Sequence, residues 1–204
     1  MPTRQRAHFI NSLSGFKSAN LIGTQDVNGQ TNLAIFSSVV HLGASPALVG
    51  FIMRPDNNDR HTLDNISMSK QYTINQVSAD FYEKAHQTSA RYPREKSEFD
   101  EVGLSTFHLD SINAPFVKES RLKYAVTLKE ILPIPLNNTL FVIGEITDVI
   151  CDQEVIENDG YIDIESLQTV SVSGLDSYHT SQRLSRLSYA KPNINPHEIN
   201  DKLK

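Results

Sequence analysis

The residues best equipped for chemistry lie in one short polar run, Arg54-Pro-Asp-Asn-Asn-Asp-Arg60-His61-Thr62-Leu63, between an apolar segment and the start of a helix pattern. Two guanidinium forks, a hydroxyl and the free amides of a helix N-terminus form the donor set that a phosphate monoester dianion needs. The same residues also fit a solvated loop, with Asp56 and Asp59 paired to the arginines and Thr62 helping to cap the helix. A second run, Asn32-Leu-Ala-Ile-Phe-Ser-Ser38, places an amide and two hydroxyls on an apolar strand. Such groups either hydrogen-bond a planar heterocycle or mark the wet face of an edge strand.

Other chemistry is missing. There is no glycine-rich dinucleotide fingerprint, Walker loop, His-Glu-x-x-His or nucleophile elbow. The histidines at 8, 41, 61, 86, 108, 179 and 197 never stand four apart on a predicted helix, so no metal site is expected. Cys151, the single cysteine, closes an apolar strand and reads as an inert thiol. No catalytic acid, base or nucleophile is assigned.

The elements that must position these runs are mostly strands. Asn20 to Thr24 and Thr31 to Val40 flank an Asp-Val-Asn-Gly turn and form a hairpin pattern. Ala47 to Met53 is short and continuously apolar, as in a strand buried on both faces. Asp59 caps a helix over about 60 to 68 that places Leu63 and Ile66 together, and Tyr72 to Val77 returns as a strand. Ser78 starts a second short helix, and 97 to 103 is a third, closed by Gly103. Leu122 to Leu128 alternates as a half-buried strand broken by Pro133 and Pro135, and Leu140 to Ile150 bends at Gly144. Six or more strands with two or three short helices predict an antiparallel barrel with helical insertions.

Composition narrows the function. Nineteen basic and 24 acidic side chains leave a net charge of −5, which argues against a nucleic-acid binder. The longest uncharged stretch, 27 to 53, carries too many polar residues to cross a bilayer, and the N-terminal segment lacks a signal-peptide pattern. A cytoplasmic protein without membrane or nucleic-acid partners is expected.

In order and spacing these segments resemble the flavin reductase-like group of FMN-binding split-barrel proteins. The pieces that carry the resemblance are Asn32-Leu-Ala-Ile-Phe-Ser-Ser38, Ser45-Pro-Ala-Leu-Val49, Arg60-His-Thr-Leu-Asp-Asn-Ile66 and Tyr72-Thr-Ile-Asn-Gln-Val77. They are followed by Ser97-Glu-Phe-Asp-Glu-Val-Gly-Leu104 and Phe141-Val-Ile-Gly-Glu-Ile146. The resemblance implies a mainly β, antiparallel split β-barrel with Greek-key character and a few short helical insertions. It implies one domain over 1 to 204, with a core from about 15 to 178 and a tail from about 179 to 204 wrapping the surface or a dimer interface. It further implies a homodimer and an FMN-dependent oxidoreductase, with NADH or NADPH as transient electron donor and hydride transfer to or from the flavin. The alternative is a flavoredoxin-like electron carrier reduced by a partner. Carried over residue by residue, Arg54, Arg60, His61 and Thr62 are candidates for the FMN phosphate, and Asn32, Phe36, Ser37 and Ser38 for the ring. Tyr178, Tyr189 and Lys191 in the tail either close over the ring or cover apolar surface.

Overall fold

The structure is a computed structural model that describes residues 1–55 and 61–199. Asp59 and Arg60, expected to open the helix and hold phosphate, lie outside the described residues.

Seven strands form one antiparallel sheet: β2 (Asn20–Gln25), β3 (Thr31–Phe36), β4 (Val40–Ala44), β5 (Ala47–Met53), β6 (Gln71–Gln76), β9 (Lys123–Ile134) and β10 (Thr139–Ile150). Their order is β3-β2-β6-β9-β10-β5-β4, so two strands consecutive in sequence end on opposite edges. The hairpin pattern holds for β2 and β3. Asp26 Oδ1 accepts from the amides of Asn28 and Gln30 at 2.8 and 2.9 Å, an Asx turn that closes the loop. The run expected to continue to Val40 instead breaks at Ser37 and Ser38, where the chain leaves β3 for the far edge.

Two smaller sheets complete the strands. The first comprises β1 (Lys17–Ser18), β11 (Val170–Ser173) and β12 (Ser177–Thr180), and the second is the hairpin of β7 (Thr106–Leu109) with β8 (Ile112–Val117). The helices are α1 (Thr3–Ser12), α2 (His61–Ser69), α3 (Tyr82–Gln87) and α4 (Glu98–Val102). α2 buries Leu63 and Ile66 as its periodicity predicts, together with Thr62 and Asn65. α1 was not expected; it has no side-chain N-cap and buries no residue.

Ser78 does not start a helix: it forms an isolated bridge to Thr169, and α3 begins four residues later at Tyr82. Pro133 does not end β9, which runs through it to Ile134 and stops before Pro135, as expected of the second proline. Beyond Thr127, β9 has lost β6 and pairs with β10 alone, and prolines are tolerated on such a half-open strand. Gly144 does sit at a register shift. A Cβ there would lie 2.3 Å from Val126 Cγ1 and 2.5 Å from the Tyr72 hydroxyl, so only glycine lets β10 press against the core.

Two large apolar clusters and a smaller third, Ile112, Ala114, Phe116 and Ala125 between β8 and β9, fill the interior. One large cluster joins Leu21, Leu33, Phe81, Ala85, Phe99 and Val172 across β2, β3, the start of α3, α4 and β11. The other centres on Phe51, whose ring meets Phe36 and Tyr72 edge-on at centroid distances of 5.0 and 5.7 Å. The last strands of the first cluster lead into a tail fixed by charge. Arg183 pairs with Asp163 and Glu165, Arg186 pairs with Asp159, and both guanidinium groups lie over Tyr161.

Candidate functional site

A cleft of about 1220 Å³ opens where β3, the end of β5 and the start of α2 meet α1, the segment after α3 and the β11–β12 turn. Seven of the eight residues singled out from the sequence line it: Asn32, Phe36, Ser37, Ser38, Arg54, His61 and Thr62. The eighth, Arg60, is outside the described residues.

Their roles differ. Asn32 is buried, and its amide donates to Thr62 Oγ1 at 3.0 Å and to Thr24 Oγ1 at 3.3 Å. Asn65 donates to the same Thr24 oxygen at 3.1 Å. Thr62 Oγ1 therefore accepts from Asn32 and has its own proton left to donate. Asn32 thus fixes the hydroxyl at the start of α2, and its amide is already engaged.

Ser38 faces the cleft but directs its hydroxyl at β5. Its Oγ accepts from the Ile52 amide at 3.1 Å and donates to the Ile52 carbonyl at 3.3 Å. β4 pairs with β5 no further than Val40 opposite Gly50, so Ser38 takes over the backbone groups that the shortened strand leaves open. Ser37 forms no such bond among the described residues. Its hydroxyl and the local backbone amides are the donors available along that wall. Phe36 contributes an apolar surface while its ring packs on Phe51.

The electrostatics favour an anion. The lining carries Arg4, Lys17, Arg54 and Arg91 against the carboxylates of Glu98 and Asp176, a positive concavity on an acidic chain. Lys17 Nζ donates to the carbonyls of Asn11 and Gly174, both at 3.0 Å. Desolvation, and then the charge of Arg54, hold its ammonium below the usual lysine range.

The sequence marks Glu98 only as part of a local helix, yet it is a built part of this wall. Its carboxylate accepts the Leu33 amide at 2.8 Å, which satisfies the outer edge of β3. Ser97 and Thr31 join their hydroxyls at 2.6 Å beside it, so α4 is clamped to the edge strand twice. Burial raises the Glu98 pKa, opposed by the Leu33 hydrogen bond and by His61. Across the cleft lining, Tyr178 shares a 3.0 Å hydrogen bond with His86 Nδ1 and packs on Tyr82, so it both covers apolar surface and presents a polar tip. Desolvation pushes its phenol up to about 12. Lys17, Glu98, His86 and Arg91 carry no local sequence signal; only long-range packing brings them here.

The arrangement combines an apolar wall, hydroxyl donors and a cationic corner in one concavity. Residues 13–166 match the model of the flavin reductase like domain. The chain belongs to the flavin reductase-like family. A crystal structure of a split-barrel protein from Shewanella frigidimarina NCIMB 400, provisionally assigned as a flavin reductase, is 57% identical and superposes with a TM-score of 0.90, covering 93% of this chain and 94% of that one. This flavin reductase-like chain is thus a mainly antiparallel split barrel with a few short helices. The flavoredoxin of Desulfovibrio vulgaris (Miyazaki F) shares the fold at a TM-score of 0.71 and 20% identity, over 88% of this chain and 92% of its own. An uncharacterised protein of Aquifex aeolicus is 26% identical over 142 residues, which is 67% of this chain and 72% of that protein. Family membership supports a flavin-related oxidoreductase. No helix among the described residues is long and apolar enough to cross a membrane.

Proposed function

We propose that the cleft binds FMN and that the protein is an NAD(P)H-dependent, flavin reductase-like oxidoreductase. The observation that carries this reading is that Arg54 and Thr62, whose hydroxyl accepts from Asn32 and has its own proton left to donate, line one cleft with Phe36, Ser37 and Ser38. The residues fit the cofactor: the volume is ample, the corner suits a phosphate, and the wall offers an apolar surface with donors at its edge. When bound, FMN supplies the redox chemistry that none of the side chains can perform.

The chain's own contribution is position and electrostatics. Arg54 and Thr62 hold the phosphate, joined on sequence grounds by Arg60 and His61. Phe36 supports one face of the ring. Ser37 and nearby backbone amides donate to its polar edge, while Ser38 fixes the strand that carries them. Asn32 keeps Thr62 in place.

The same reading makes the protein a homodimer. Phe9 and Ile10 are exposed on α1, Leu13 just past its end, and Val40 and Leu42 on edge strand β4, which are faces that a second copy would cover.

Anaerobic rapid mixing of FMN-loaded protein with NADH and with NADPH, followed by flavin absorbance, tests the activity. Bleaching within seconds by at least one nucleotide is expected. Loss of that response with FMN still bound would replace the enzyme with an electron carrier reduced by a partner.

A further inference from the structure

The described arginines other than Arg6, which is in no ion pair among the described residues and lies outside the cleft, divide by environment. Arg94, Arg121, Arg183 and Arg186 each pair with carboxylates. None of the ion pairs among the described residues uses Arg4, Arg54 or Arg91, and these three line the cleft. Unpaired guanidinium groups gathered in one concavity of an acidic protein form a receiver for oxyanions.

The FMN phosphate accounts for Arg54, which follows β5 and lines the cleft together with Thr62. It leaves Arg4 and Arg91, which arrive on two other elements. The cleft, at about 1220 Å³, is also larger than the roughly 300 to 1,000 Å³ usual for one small ligand. We infer that Arg4 and Arg91 form a second oxyanion subsite, which receives the carboxylate or phosphate of the molecule that exchanges electrons with the flavin.

Arg91 stands on anchored backbone, and Arg4 on a helix tied at its far end. Arg91 lies between Thr88, buried with its hydroxyl on the Ala85 carbonyl at 2.8 Å, and Tyr92, whose hydroxyl accepts from Gln87 Nε2 at 3.1 Å. Arg4 shares a face of α1 with His8, and Lys17 ties the end of that helix through the Asn11 carbonyl. Anchoring reduces the ordering cost of capturing an anion. Asp176 also lines the cleft and opposes an anion, but the cations outnumber the carboxylates there.

The inference rests on the FMN reading, so its test starts from FMN-loaded protein. Flavin difference spectra are recorded during titration with benzoate, with neutral benzamide and with ADP. A response to benzoate identifies a carboxylate as the natural group, and a response to ADP identifies a phosphate. Arg4→Ala and Arg91→Ala should each weaken the responding anion about tenfold, the scale of one charge-assisted hydrogen bond. Benzamide binding and FMN affinity should stay within about twofold, and Arg6→Ala, on α1 but outside the lining, should behave as wild type. Unchanged anion affinity in both variants, or no anion response in the wild type, overturns the inference while FMN binding stands. A parallel loss of FMN affinity would instead assign the two arginines to the flavin phosphate. Failure of the wild type to take up FMN would overturn the cofactor reading itself.

Discussion

The amide of Asn32 donates to the hydroxyl of Thr62 at 3.0 Å, a buried bond between the edge strand β3 and the first turn of α2. In the proposed binding mode it couples the wall that meets the flavin ring with the residues that hold its phosphate. Asn32→Ala should therefore lower FMN affinity about five- to tenfold without touching the cofactor, and lower stability by about 1 to 3 kcal/mol. Fluorescence titration and urea unfolding measure the two effects. Thr62→Ala should match the affinity loss with a smaller stability loss.

The two serines should separate. Ser38→Ala strips the partner from both backbone groups of Ile52 and should destabilise the protein by about 1 to 3 kcal/mol. Ser37→Ala, with no such bond, should stay within about 0.5 kcal/mol without FMN. Equal urea midpoints for the two variants would contradict the assignment of Ser38 to the strand.

Glu98 gives a pH dependence of defined sign. Its pKa is raised in the folded state, chiefly by desolvation, so the folded protein holds the proton more tightly than the unfolded chain. Its contribution to stability is fully present below the ordinary carboxylate value of about 4.3 and is lost as pH rises through the folded value. Glu98→Gln keeps an acceptor for the Leu33 amide and removes the titration. The stability of this variant relative to wild type should rise as pH climbs through that window and then level off, as followed by urea unfolding at a series of pH values. A constant difference would show that Glu98 does not titrate abnormally.

The cleft was legible in part. Asn32, Thr62 and the serine pair announced themselves because polar groups interrupt apolar runs at strand and helix ends, where backbone groups need partners. The separate duties of Asn32 and Ser38 were not legible, because they depend on which neighbour each side chain reaches: Thr62, 30 residues away, and Ile52, across a strand that stops short. α1 was invisible, with neither a cap nor a buried stripe to mark it. Glu98 looked like an ordinary acidic first-turn residue; its importance arises from the edge of β3, a feature of topology.

Light scattering of FMN-loaded protein at micromolar concentration should give twice the chain mass. Ile10→Glu on the exposed face of α1 should shift the population toward monomer. A monomeric wild type with FMN bound would remove the second copy from the proposal.

The central claim is that the cleft recognises FMN through its phosphate, and paired titrations with FMN and riboflavin test it most directly. FMN should bind at least tenfold more tightly, and Arg54→Ala should narrow that gap while leaving riboflavin affinity within about twofold, as expected for loss of a charge-assisted bond. Equal affinities for the two flavins, or a gap unaffected by Arg54→Ala, would contradict it.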